Sequence, residues 1–155
     1  MAQVLKVFMA NVVLLVEDDP NDVFLMRRAI DKAGSPINLQ VIDDGEKAID
    51  YLSGTPPYGD RRHYPIPDLL LLDLKIPRRS GMEILEWVRS SPHLSRMTVI
   101  MFSSSRELID IHRAYDLGAN SYLVKPVSFG DLIGTVELLD SYWLKLNARP
   151  DIFQE

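Results

Sequence analysis

Five short apolar runs, separated by longer segments of helical period, constrain this chain more than any other feature. They lie at residues 12–16, 37–42, 69–72, 99–102 and 122–124. Short strands alternating with helical segments are the pattern of repeated βα units and of a parallel sheet. Three of the runs are apolar at every position, as expected of strands covered by helices on both faces. The chain therefore reads as a doubly wound α/β fold around a five-stranded parallel sheet.

The intervening segments carry helix punctuation. Asp19 offers a capping side chain before Pro20 at the first helical position, and Gly34 stands where that helix should end. Ser80 with Glu83, and Ser104 with Glu107, both fit the capping-box spacing, and Gly118 closes the later of those two helices. The last helix starts near Ser128 and runs through Leu132, Val136, Leu139 and Trp143, a stripe read as core. Near its end Tyr142, Trp143 and Leu144 suit either the core or a partner surface. Residues 53–67 break the rhythm with four prolines, two glycines, Arg61, Arg62 and His63, which predicts an irregular loop before the third strand.

At 155 residues and 46% hydrophobic content, the chain has the material for one domain with one buried core. We expect that domain at residues 10–146, with 147–155 as a tail. A formal net charge of -5 gives no overall electrostatic footprint for nucleic acid or anionic lipid. The lack of cysteine excludes disulfides, thiolate catalysis and Cys-ligated zinc, and it fits a reducing cytoplasm. The first sixteen residues are apolar, yet Lys6 is their only basic residue and they run into Glu17-Asp18-Asp19, so an internal strand explains them better than a signal peptide. No uninterrupted apolar stretch is long enough to cross a bilayer, and no membrane association is expected.

In an open parallel sheet the functional crevice lies at the carboxyl ends of the strands. Glu17 and Asp18 follow the first run, Asp73 ends the third, Ser103 ends the fourth, and Lys125-Pro126 end the fifth. Taken singly, each has an ordinary reading: an acid after a strand is a turn former or cap, as we assign Asp19, and a lysine before proline is a solvated loop residue. Together, at four strand ends, they point to chemistry. Three converging carboxylates repel one another unless a cation neutralises them. Mg2+ is typically held by one or two carboxylates plus a phosphate, which suits Asp18 and Asp73 as ligands and Glu17 as the holder of a metal-bound water. The Asp73 carboxylate could then act as a nucleophile toward phosphorus, with Lys125 sharing the charge and Ser103 donating to a phosphoryl oxygen.

From about residue 12 to 144 the sequence resembles the receiver domains of response regulators in two-component phosphorelays. The matching pieces are Leu14-Leu15-Val16-Glu17-Asp18, Leu71 through Pro77 with Gly81, Phe102-Ser103-Ser104, Gly118-Ala119, and Tyr122 through Pro126. The 30 positions from 73 to 103 and the 22 from 103 to 125 match that family as well. The resemblance implies a CheY-like (βα)5 fold of strand order 2-1-3-4-5, with Asp73 as phospho-acceptor and Glu17 and Asp18 as the acidic pair at Mg2+. It makes the backbone carbonyl of Lys75 a third protein ligand. Ser103 and Tyr122 become switching residues, and Lys125 the contact to the phosphoryl group. No site residue is replaced.

The 55 positions from 18 to 73 exceed a minimal receiver, and the excess falls in the 53–67 loop. With Tyr142, Trp143 and Leu144, this looks like the stand-alone regulators that serve bacterial phytochrome-type sensor histidine kinases. On that resemblance a partner kinase donates the phosphoryl group, output passes through the surface of the fourth helix, fifth strand and fifth helix, and a homodimer forms there. Only residues 147–155 follow the last helix, so protein contact rather than DNA binding is expected. No turnover of an outside substrate is expected either. A haloacid-dehalogenase-like phosphatase needs a second acid where this chain has Lys75. A flavodoxin-like FMN carrier needs a phosphate loop where it has three acids, and a serine hydrolase needs a G-x-S-x-G that is missing. A phosphorylation-independent scaffold remains the alternative that a phosphodonor assay would separate.

Overall fold

The structure is a computed structural model that describes residues 11–152. The start of the expected domain at residue 10, the N-terminal apolar stretch before it, and residues 153–155 of the expected tail lie outside the described residues. The strands are β1 (Val12–Val16), β2 (Asn38–Ile42), β3 (Leu69–Leu72), β4 (Val99–Ser103) and β5 (Ser121–Val124). The helices are α1 (Pro20–Ala33), α2 (Gly45–Ser53), α3 (Gly81–Ser90), α4 (Leu108–Asp116) and α5 (Phe129–Leu138). All strand pairs are parallel, in the order β2-β1-β3-β4-β5.

Alternation along the strands divides the core in two. Leu14, Val16, Leu70, Leu72, Val99 and Met101 face a layer that includes Ala48, Tyr51 and Leu52 of α2, Ile84, Leu85 and Val88 of α3, and Ala114 of α4. Val13, Leu15, Leu69, Leu71, Ile100 and Phe102 face Met26, Ala29 and Ile30 of α1 with Leu132 and Val136 of α5. Because both faces are covered, the central strands have no polar side and β1, β3 and β4 are buried throughout. Burying one such leucine is worth about 1.5–3 kcal/mol, so the sheet is where this chain concentrates its stability.

Several helix starts follow their sequence signals. The Asp19 side chain accepts from the Asn21 amide and Gly34 adopts a left-handed φ of 62°. The Ser80–Glu83 capping box is formed in both directions, and Ser128 caps α5 through the Asp131 amide. The Ser104–Glu107 box is not formed. Helix α4 starts only at Leu108, and Glu107 at its entry makes no side-chain cap bond. The serine hydroxyls are spent inside the preceding loop instead: Ser103 Oγ accepts from the Ser105 amide, while Ser105 Oγ accepts from the Glu107 amide and donates to Asp110 at 2.5 Å.

The last helix also departs from its expected period. After α5 the chain widens into a π-helical segment, Leu139–Leu146. Its i→i+5 geometry brings residues five apart onto one face, so Leu139 and Leu144 are buried together, Trp143 is half-buried and Tyr142 is exposed. Beyond it, Arg149 pairs with Asp68 at 3.0 Å and Ile152 packs against the core. The 53–67 segment is irregular, as its composition predicts, and it is closely tied down. Arg61 donates to the carbonyls of Tyr51, Leu52 and Tyr64, and the rings of Tyr51, Tyr58 and Tyr64 contact one another. No helix among the described residues is long and apolar enough to cross a membrane.

Candidate functional site

Parallel pairing carries the ends of β1, β3, β4 and β5 to one edge of the sheet, where the residues that follow each strand meet. One carboxylate oxygen each from Glu17, Asp18 and Asp73 lies within 4.8 Å of the others. Glu17 is fixed there because its amide continues the β1–β2 ladder by donating to the Ile42 carbonyl, and the Asp73 amide likewise donates to Val16. Glu17 and Asp73 are thus placed by the sheet itself. Glu17 is 2% exposed and Asp18 is open to solvent.

Lys125 enters from the end of β5, held by its amide donating to the Ser103 carbonyl at 2.8 Å. Its ammonium donates to Asp73 Oδ2 at 2.8 Å, to Asp22 Oδ2 at 2.8 Å and to Glu17 Oε1. With only 15% of the side chain exposed, burial works to lower its pKa, but the hydrogen bonds it donates to Asp22, Asp73 and Glu17 outweigh this and hold it above the usual lysine range. Burial is also the largest influence on Glu17, pushing its carboxyl up to about 7, with Asp73 adding to the rise and Lys125 and the Asp19 amide opposing it. Glu17, Asp18 and Asp73 form an all-oxygen cluster, with Asp22 joined to it through Lys125, and one ammonium only partly offsets the negative charge. That donor set fits a hard divalent cation.

Ser103 is buried at the end of β4, and Lys125 binds its carbonyl. Tyr122 is half-buried, its hydroxyl donating to the Ser105 carbonyl at 2.9 Å, which ties β5 to the loop after β4. Lys75 lies two residues past Asp73, with its side chain exposed. Gly81 approaches this segment closely: a Cβ there would stand 2.1 Å from the Asp73 carbonyl oxygen. The sequence-predicted acids and Lys125 therefore meet, with Ser103 joined to Lys125 through its carbonyl and Tyr122 bonded to the Ser105 carbonyl in the loop after Ser103.

Two contributors escaped sequence reasoning. Asp22 sits in the first turn of α1, where an acid is expected on helix-dipole grounds alone, and nothing in its spacing distinguishes it from such a residue. The second is Asp44-Gly45 at the start of α2. An acid before a glycine ahead of a helical stretch could have been read as a cap; that it touches the loop after Asp73 is a tertiary fact.

Comparison with known proteins agrees with this geometry. The response regulator receiver domain family matches residues 13–137. The probable methanogenesis regulatory protein FilR2 of Methanothrix harundinacea is 37% identical over 139 residues, covering 90% of this chain and 87% of that protein. Response regulator Rcp1 of Synechocystis sp. is 32% identical over 140 residues, covering 90% of this chain and 93% of Rcp1. Among solved structures, the phosphorylated cyanobacterial phytochrome response regulator RcpA matches with a TM-score of 0.83 at 32% identity, covering 91% of this chain and 99% of that one. The Mn(2+)-bound form of Rcp1 matches with a TM-score of 0.79 at 31% identity, covering 90% and 99%. A parallel sheet of order 2-1-3-4-5 with acids gathered at its carboxyl edge, and these matches over most of the chain, place the protein in the response regulator receiver domain family.

Proposed function

We propose that this receiver domain accepts a phosphoryl group on Asp73 from a phosphohistidine of a sensor histidine kinase, with Mg2+ bound by Asp18, Asp73 and the backbone carbonyl of Lys75. The observation that carries the reading is the meeting of Glu17, Asp18 and Asp73 within 4.8 Å, with the Lys125 ammonium bonded to Asp73. An Asp73 carboxylate oxygen forms the new bond to phosphorus as the phosphorus–nitrogen bond of the donor breaks, and the histidine nitrogen keeps the electron pair and takes up a proton. The cation, when bound, screens the acids from one another and from the incoming phosphoryl oxygens. Glu17 would hold a water of the cation's hydration shell. Lys125 exchanges an acid partner for a phosphoryl oxygen and Ser103 donates to another, which is the positioning and charge compensation that phosphoryl transfer needs.

The output surface in this reading is α4, β5 and α5. Its support is apolar exposure on α4, where Leu108, Ile109 and Tyr115 are open to solvent and Ile109 is 76% exposed. A homodimer through this face, signalling by protein contact in the cytoplasm, follows from the same reading, with Tyr122 linking the face to Ser103. RcpA is described as a phytochrome response regulator, and that likeness supports a phytochrome-type kinase as the donor. No turnover of an outside substrate is involved: the domain assists only its own phosphorylation and dephosphorylation.

The test is mass spectrometry of wild type and Asp73→Asn after incubation with acetyl phosphate and Mg2+. One added phosphoryl group in the wild type alone is the expected result. Equal labelling of both would move the acceptor elsewhere, and labelling of neither would favour a scaffold that ignores phosphorylation.

A further inference from the structure

The loop after Asp73 is fastened on a second side, away from the acids, by the first turn of α2. Asp44 is buried and uses both carboxylate oxygens: Oδ1 accepts from the Lys47 amide to cap α2, and Oδ2 meets Arg78 Nε at 3.0 Å. Next to it, the Gly45 amide donates to the Pro77 carbonyl at 3.0 Å, and a Cβ on Gly45 would stand 2.1 Å from the Arg79 carbonyl oxygen. Glu46 completes the turn by pairing with Arg79 at 2.8 Å. Between these contacts Arg78 holds a left-handed φ of 70°, and the Arg79 amide closes the turn on the Pro77 carbonyl at 2.9 Å. A bulky residue keeps such a backbone only where its surroundings over-determine it.

We infer that Asp44 and Arg78 are a positioning pair for cation binding: they fix the 74–80 loop and thereby aim the Lys75 carbonyl at the metal. This rests on the reading above of Lys75 as a ligand. The Arg78 side chain is 66% exposed, so solvent screens its attraction to the buried Asp44 and geometry is the main effect the pair exerts. The sign of the effect separates positioning from charge. Removing a positive charge near an acidic cluster raises its affinity for a cation on Coulomb grounds, whereas releasing the loop lowers it.

The experiment measures Mg2+ affinity by isothermal titration calorimetry for wild type, Arg78→Met, Arg78→Lys, Asp44→Asn and the Asp44→Asn/Arg78→Met double variant, each checked for folding by urea denaturation in EDTA. Positioning predicts that Arg78→Met weakens Mg2+ binding about tenfold, the low end for groups that orient a metal ligand. Arg78→Lys recovers much of that loss, and the double variant is no weaker than the worse single one. Unchanged or tighter Mg2+ binding by Arg78→Met, in a wild type that does bind Mg2+, overturns the inference alone. A wild type that takes up no Mg2+ overturns it together with the reading of the acidic cluster.

Discussion

Replacing Lys125 with methionine keeps the length of the side chain and removes the cation from the middle of the acids. Lys125 is 15% exposed, and its partners Glu17 and Asp73 are 2% and 13% exposed at their side chains. Removing one member of a buried ion pair typically costs about 3–5 kcal/mol, because the charge left behind is uncompensated. Two features pull the value down: Asp22, 35% exposed, can be rehydrated, and Glu17, already pushed up to about 7, can take up a proton. The expected loss without metal is therefore about 3 kcal/mol, which at about 2–4 °C per kcal/mol lowers the Tm by roughly 6–12 °C.

Mg2+ should reverse most of this loss. In the wild type the cation meets the positive charge of the ammonium beside the Asp73 carboxylate they share, and in the variant it does not, so the variant gains more from the metal. A variant that binds Mg2+ about a hundredfold more tightly than wild type gains about 2.7 kcal/mol more from excess Mg2+, enough to bring the two proteins within about 1 kcal/mol of each other. The assay is urea denaturation followed by the emission of Trp87 and Trp143, both packed against the core, in EDTA and in excess Mg2+. A gap of the same size in both conditions would refute the reasoning, since the lysine and a divalent cation would then not be neutralising the same group of acids.

Gly81→Ala would drive a Cβ into the Asp73 carbonyl oxygen at 2.1 Å, forcing a shift of about 1 Å that costs roughly a hundredfold in the phosphorylation rate from acetyl phosphate; an unchanged rate would deny that this close approach positions Asp73. Arg89→Met would orphan the carbonyls of Ser95, Met97 and Gly118 and leave Asn120 Oδ1 with only the Val99 amide, costing about 3 kcal/mol in denaturant titration with Mg2+ affinity unaltered. A loss below about 0.5 kcal/mol would mean that water replaces the guanidinium. Tyr122→Phe removes one hydrogen bond to the Ser105 carbonyl and should cost about 1 kcal/mol in the same titration, with no loss counting against the tie between β5 and that loop.

How much of this was legible depended on the range of the interaction concerned. Strands β1, β3 and β4 announced themselves because burial on both faces leaves no position for a polar residue, and Glu17, Asp73 and Ser103 stood out as the first polar residues after such runs. Caps whose partners lie two or three residues away, at Asp19, Ser80 and Ser128, followed from local spacing. Ser104 failed because two neighbouring serines offered the same chemistry and the loop used those. The π-helical end of the last helix has no signature in a 3.6-residue stripe, so Leu144 rather than Trp143 took the deep position. Asp22 and the Asp44–Arg78 contact depend on approaches across 103 and 34 residues, which no local pattern encodes.

The loop after β4 sets how much a phosphoryl group must supply to act as a switch. Ser103 Oγ accepts from the Ser105 amide and still has a proton to give. Drawing it toward a phosphoryl oxygen disturbs that bond, the Tyr122 bond to the Ser105 carbonyl, and the Ser105 bond to Asp110. At about 1 kcal/mol net for each, the three together resist by about 3 kcal/mol. Charge-assisted bonds from Ser103 and Lys125 return about 1.5–3 kcal/mol each, and Lys125 gives up an acid partner to form its own. Moving a two-state equilibrium from 1:99 to 99:1 takes about 5.5 kcal/mol. The serine and the lysine together thus leave the switch only partly thrown. On the proposed reading, the remaining bias has to come from cation-held oxygens at Asp73 and from the partner that grips the α4–β5–α5 face, so a phosphorylated domain measured alone should populate both states.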